Sequence, residues 1–207
     1  MTGGARGIGA AIATALHSEG AQVAILDVSP DTKAVADALD GTAVEVDLAD
    51  PEATASATRA AIDALGGIDI LVNNAGILKM APLLDIAVAD WDLTFAVNVR
   101  AMLVTTQVAG RAMVAAGGGI IVNMASMGGK DGGPNQAHYS ASKAAVISLT
   151  QVTAKELGPH GVRANCICPG YVLTEMGAAT RTQAMVDAWT AKSPLGEIGR
   201  ASCRERV

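Results

Sequence analysis

Five short apolar runs, each followed by a longer alanine-rich stretch, most constrain how this chain folds. The runs are QVAILDV (22–28), TAVEVD (42–47), IDILV (68–72), GIIVN (119–123) and VRANCI (162–167). They are rich in Val and Ile and show little polar alternation, as in strands covered on both faces. Helical stretches lie at about 7–19, 31–39, 51–65, 84–116 and 138–157. Asp50, followed by Pro51 and Glu52, predicts a helix start with Asp as cap and Pro at the first helical position. The alternation predicts right-handed crossovers and a doubly wound parallel sheet with helices on both faces, a three-layer α/β/α fold. No repeat or linker divides the chain.

Composition narrows the function classes. A net charge of −5 with dispersed basic residues argues against nucleic acid as the main partner. No apolar run approaches membrane-spanning length and no secretory signal opens the chain, so a cytoplasmic protein away from the membrane is expected. Three cysteines make no disulfide framework. Cys166 and Cys168 fall on one face of a strand, which suits core packing better than metal, and no metal site is expected.

In such sheets ligands bind beyond the carboxyl ends of the strands. The stretch TGGARGIG leads directly into a helix. Gly3 allows a tight turn there, and Gly7 and Gly9 let the backbone approach a pyrophosphate held at the helix N-terminus. Asp27 ends the 22–28 run eighteen residues after Gly9, close to the roughly 20 expected for a carboxylate on the adenosine ribose. An Asp there repels a 2′-phosphate and favours NAD over NADP. Arg6 pulls weakly the other way as a phosphate partner, unless it is simply solvated. Asp47 either contacts adenine or caps the helix that follows. NNAG (73–76) is a turn signal that, combined with the loop, brings Asn74, Ala75 and Gly76 to the nicotinamide-side ribose.

Tyr139 and Lys143 lie four apart on a helix and share a face. Ser126 follows the 119–123 strand, thirteen residues before Tyr139. A free phenol titrates near pH 10, and a Lys ammonium together with a positive nicotinamide ring is expected to lower that by roughly two or three units. The tyrosine then exchanges a proton with a hydroxyl or carbonyl oxygen held by Ser126. A serine-hydrolase reading fails, because MASMG lacks the first glycine of a nucleophile elbow and no histidine has an evident triad partner.

TGGARGIG, Asp27, Asp47, NNAG, Asn98 in VNV, Ser126, YSASK and Pro169–Gly170 resemble, in order and spacing, the classical short-chain dehydrogenase/reductase family. The resemblance implies a Rossmann-like fold and hydride transfer between NAD(P), with NAD preferred, and a secondary alcohol or ketone. It implies a catalytic set of Asn98, Ser126, Tyr139 and Lys143, with Tyr139 as acid/base. Lys143 also binds the nicotinamide ribose, and Asn98 supports a proton-relaying water. The cofactor set implied is Gly3, Arg6, Gly7, Ile8 and Gly9 in the loop, with Asp27, Asp47 and Leu48 on the adenosine side. Asn74, Ala75, Gly76, Tyr139, Lys143, Pro169, Gly170, Val172 and Thr174 complete it on the nicotinamide side. Homodimers or homotetramers packed through 84–116 and 138–157 are also implied. A non-catalytic nucleotide-binding regulator is the alternative, and an extended-family epimerase fits the glycine spacing poorly.

Two departures from the family stand out. Its members carry a central strand just before T-G, and a further helix and last strand after PLG (194–196), so the expected domain (1–196) is incomplete at both ends, with Met1 at the place of that first strand's last residue. Two strands would then lack a partner, at roughly 1–3 kcal/mol per unpaired buried group. The ending EIGRASCRERV has no core pattern and resembles a translated sequencing adapter, so 197–207 is expected to be non-native.

Overall fold

A computed structural model describes residues 1–176, 178 and 181–200. The final residues of the expected non-native tail, 201–207, lie outside the described residues. The five expected strands form, each near its expected place: β1 (Ala24–Asp27), β2 (Thr42–Glu45), β3 (Ile70–Asn73), β4 (Gly119–Met124) and β5 (Val162–Ile167). All pair in parallel, β1 with β2 and β3 with β4 and β5. Thr2 joins the two groups by bridging Leu26 and Asn73. Met1–Gly3 thus lie between β1 and β3. Backbone bonds run from Thr2 N to Val72 O (2.9 Å), Gly3 N to Leu26 O (2.8 Å) and Leu26 N to Met1 O (2.9 Å). The chain winds outward from this centre in both directions, and the switch point falls beside Thr2.

The strands are apolar throughout because both faces are covered. Ala24 and Leu26 pack with Val46, Ala57 and Ala61 on one face. Val23 and Ile25 pack with Ala13, Ala36 and Leu39 on the other. The helices on these faces include α1 (Gly7–Ser18), α2 (Thr32–Asp37) and α3 (Pro51–Leu65). Asp50 caps α3 as expected, accepting from Glu52 N (2.8 Å) and Ala53 N (3.0 Å).

The single helix expected over 84–116 is corrected. It divides into a 3₁₀ turn (Leu83–Asp85), α4 (Val88–Phe95), a π-helical turn (Ala96–Arg100) and α5 (Ala101–Ala116). Asn98 sits inside the wide π turn and bonds sideways to the strand-following loop. That lateral pull widens the backbone without ending the helix. After β4 comes one short turn, α6 (Gly128–Asp131), and then the long α7 (Ala137–Leu157). The sequence did not signal α8 (Gln183–Lys192), nor the pairing of β6 (Val172–Leu173) with β7 (Gly199–Arg200). Cys166 and Cys168 pack against Met102, Ala125 and Val146, in keeping with a core role.

Candidate active site

Beneath the carboxyl ends of β3 and β4 lies a buried polar ladder. Asn73 and Asn123 stand opposite each other in register, and Asn73 Nδ2 donates to Asn123 Oδ1 at 2.9 Å. Thr105 Oγ1 donates to Asn73 Oδ1 (2.6 Å), and Asn123 Nδ2 donates to Thr150 Oγ1 (2.9 Å). These bonds tie α5 and α7 to the strand ends from which the site projects. Such networks stabilise only when fully satisfied, and each amide here finds partners.

The glycine loop closes over this floor. A Cβ on Gly3, whose φ is +65°, would come within 2.6 Å of Ala75 Cα. One on Gly9 would overlap the Gly3 carbonyl. Loop, helix and NNAG turn therefore touch backbone to backbone. Asn74 Nδ2 donates to Gly3 O (2.6 Å), while the amides of Asn74 and Ala75 both donate to Thr2 Oγ1 (3.1 Å each). No side chain caps α1 and no acid sits in its first turn. The amides of Gly7, Ile8 and Gly9 are left free for an anion.

Asp27 ends β1 beside this loop, its carboxylate accepting from Ala5 N (3.0 Å) and Ser29 N (3.1 Å). Spare lone pairs remain for a ribose diol. Arg6 is largely solvated, in line with the second reading above: its side chain is 60% exposed and makes only a surface pair with Glu175 at 3.6 Å. Asp47 accepts from Ala49 N (2.9 Å), and Asp50, not Asp47, caps the helix. Leu48 is buried in the core, and its carbonyl accepts from Thr54 Oγ1 (3.2 Å). Pro169 O accepts from Met127 N (3.0 Å), tying the PG turn to the Ser126 loop. Gly170 and Val172 follow, and Thr174 packs beside Gly7.

Ser126, Tyr139 and Lys143 converge. The Ser126 and Tyr139 side chains both flank Gly128, where a Cβ would lie 3.4 Å from Ser126 Oγ and 3.7 Å from Tyr139 Cε1, and Ser126 Oγ accepts from Gly128 N (3.1 Å). Lys143 is buried, 5.8 Å from the Tyr139 ring centroid. Its Nζ donates to Met124 O at 2.7 Å. Asn98 is also buried, with Oδ1 accepting from Ile77 N (2.8 Å). Its Nδ2 donates to Ile77 O (3.1 Å) and Ser142 Oγ (3.0 Å). A Cβ on Gly76 would lie 3.3 Å from both Asn98 Oδ1 and Lys143 Nζ.

In the protein alone, burial raises the Tyr139 phenol above its ordinary value, against a smaller lowering by the Ser126 hydroxyl. The expected lowering calls on two cations, Lys143 and the nicotinamide ring, and Lys143 alone does not supply it. Burial likewise brings Lys143 down to about 8. An ammonium so desolvated, and aimed at the Met124 carbonyl, does not hold the phenolate by itself. The arrangement favours a neutral phenol that donates a proton.

Residues 1–185 match the short chain dehydrogenase family, and the chain belongs to it. The D-threitol dehydrogenase of Mycolicibacterium smegmatis is 40% identical over 183 residues, covering 86% of this chain and 70% of that one. The L-xylulose reductase of Bos taurus is 38% identical over 206 residues, covering 96% and 81% respectively. A solved structure from Beutenbergia cavernae superposes with a TM-score of 0.92 at 39% identity, covering 97% of this chain and 83% of its own. It is presented as a candidate NAD(P)-dependent gluconate 5-dehydrogenase and holds NADP at low occupancy. This chain is accordingly an NAD(P)-dependent oxidoreductase of alcohols and ketones. Among the described residues, no helix is long and apolar enough to cross a membrane.

Proposed function

We propose that Tyr139 is the acid/base of this oxidoreductase, and that its substrate is a small polyol or the matching ketose. The observation that carries the reading is the convergence of Ser126 and Tyr139 beside Gly128, with a buried Lys143 Nζ 5.8 Å from the Tyr139 ring centroid. Ser126 holds the substrate oxygen, and Tyr139 gives it a proton in reduction or takes one in oxidation. Lys143 holds the ribose hydroxyls and returns protons to Tyr139, while Asn98 fixes the Ile77 loop that walls this path. A cavity of about 10 Å³ lined by Thr2, Asn73, Asn98 and Met124 is close to the roughly 10–15 Å³ that one water needs.

The free amides of Gly7, Ile8 and Gly9 suit a pyrophosphate, and Asp27 suits an unphosphorylated ribose. When bound there, a nicotinamide dinucleotide supplies the two-electron hydride exchange. The backbone at Asn74–Gly76 and Pro169–Thr174 flanks its nicotinamide end, and Asp47 flanks its adenine. With Arg6 paired to Glu175 and Asp27 at the strand end, NAD is the preferred cofactor, although the relative with bound NADP shows that the family admits both. The polyol class draws on the relatives named for threitol, xylulose and sorbitol.

Apolar side chains stand exposed along the outer faces of α4, α5 and α7, notably Val88 (74%), Trp91 (39%), Leu103 (40%) and Val152 (44%). They suit a homodimer or homotetramer in the cytoplasm. A screen of polyols and ketoses with NAD(H) and NADP(H), read by absorbance of the reduced cofactor, tests the reading. Turnover of a polyol with NAD supports it, and faster turnover with NADP overturns the cofactor assignment.

A further inference from the structure

The loop that leads into α7 ends on Gln136, a residue with no part in the proton transfer. Ser140 N donates to the Gln136 carbonyl at 2.8 Å, so Gln136 already lies on the helical path. Its own φ of −141° and ψ of 36° are not helical, which makes it the N-cap of α7. Caps are usually Ser, Thr, Asn or Asp, whose short side chains serve the free amides of the first turn. Gln136 makes no such bond. The helix itself gives no reason for a carboxamide at this position.

Its placement is nonetheless fixed from both sides. Asn135, one residue earlier, holds a left-handed φ of +63°. The Asn135 carbonyl accepts from Ala81 N (2.8 Å), which pins it to the segment that follows Gly76. Asn98 holds the same segment through both backbone groups of Ile77. On the other side, the Gln136 side chain fills the space that a Cβ on Gly133 would take. Such a Cβ would overlap Nε2 and come within 2.8 Å of Cδ. Gly133 thus cradles the amide. Gln136 is only half-buried, so solutes reach it.

The reacting group stands one turn away. Gln136 and Tyr139 are three residues apart and share a helix face, where Cβ atoms lie about 5–6 Å apart. Helical side chains lean toward the helix N-terminus, so the Tyr139 phenol leans back over Gln136. A carboxamide offers both donors and an acceptor. That suits a hydroxyl, itself donor and acceptor, better than a carboxylate, which only accepts.

We propose that Gln136 is a specificity-determining residue of this site, and that its carboxamide binds the substrate hydroxyl on the carbon next to the reacting one. Tyr139 and Ser126 hold the reacting oxygen while Gln136 holds its neighbour. The site therefore selects diols and polyols, and α-hydroxyketones in the reverse direction, over simple secondary alcohols. An alcohol without the second oxygen leaves the cradled amide without its partner, which is how a site built for a hydroxyl rejects the analogue that lacks it. This inference rests on the polyol reading above and adds the residue that enforces it.

The test compares kcat/KM of the chain with NAD on 2,3-butanediol and on 2-butanol, which differ only in the neighbouring hydroxyl. The unmodified chain is expected to favour the diol by about tenfold, the scale of one hydrogen bond. Gln136→Leu is expected to lose about tenfold on the diol and less than about twofold on 2-butanol. Gly133→Ala keeps every polar group and only displaces the amide, at a glycine whose φ is not left-handed. It is expected to lose at least about threefold of the diol preference. Equal losses on both alcohols mark a purely structural role and overturn the assignment. A diol preference unchanged in either variant overturns it too, and leaves the polyol reading standing. If the unmodified chain shows no preference for the diol, or turns over neither alcohol, the polyol reading falls and the role of Gln136 falls with it.

Discussion

Asn98 and Ser142, forty-four residues apart, meet inside the protein: Nδ2 of the first donates to Oγ of the second at 3.0 Å. Ser142 Oγ in turn donates to Tyr139 O at 2.7 Å. One hydroxyl thus connects the π turn that carries Asn98 to the helical turn that carries Tyr139. Ser142→Ala leaves a buried amide donor with one partner fewer, at a cost of about 1–3 kcal/mol. The expected outcome is a fall in kcat of several-fold with KM for the cofactor little changed, and recovery in Ser142→Thr. Steady-state kinetics together with denaturant unfolding checks both parts.

Lys143 makes stability depend on pH in a defined window. Its value in the fold is about 8 against 10.5 in the unfolded chain. Between those values the unfolded chain holds a proton that the fold has lost, so stability rises as pH increases above 8. The full gain is about 3 kcal/mol. Tyr139, raised by burial, works in the opposite direction above pH 10, because there the unfolded chain releases its proton first. Urea melts from pH 7.5 to 10 are expected to show midpoints moving upward, and Lys143→Met is expected to flatten that slope.

His138, next to Tyr139, is fully buried, and among the described residues neither ring nitrogen has a hydrogen-bond partner. An unpartnered buried polar group costs about 1–3 kcal/mol. His138→Leu is therefore expected to raise the melting temperature by a few degrees while leaving turnover within about twofold. A lower melting temperature in that variant contradicts the assignment of His138 as an unsatisfied group.

Cofactor choice rests on Asp27. Asp27→Ser removes the carboxylate that disfavours a 2′-phosphate while keeping a hydroxyl near Ala5 N and Ser29 N. The ratio of kcat/KM for NAD over NADP is expected to fall at least tenfold. An unchanged ratio would move the discrimination elsewhere, for instance to the Arg6–Glu175 pair.

Much of this architecture was legible in the residues. Strands β1 to β5 declare themselves because burial on both faces leaves uninterrupted Val and Ile. Helix α3 declares itself through Asp50 and Pro51. The positions of Ser126, Tyr139 and Lys143 follow from strand–helix order. What stayed hidden depends on contacts distant in sequence. The π turn exists because Asn98 reaches Ile77, and local propensity within 84–116 has no term for that bond. The role of Ser142 and the Asn73–Asn123–Thr150 ladder likewise require three elements to meet, since Asn at a strand end otherwise reads as a turn signal. Burial of Tyr139 and Lys143 was also hidden, because spacing shows that the two are near but not how far each is desolvated.

Tyr139→Phe tests the central claim most directly. The variant keeps the ring and its packing but removes the hydroxyl beside Ser126. Turnover of any alcohol or ketone substrate is expected to fall by about 10²–10⁴-fold, the usual contribution of a positioned acid/base, with cofactor binding by fluorescence titration retained. Undiminished turnover in Tyr139→Phe would contradict the account.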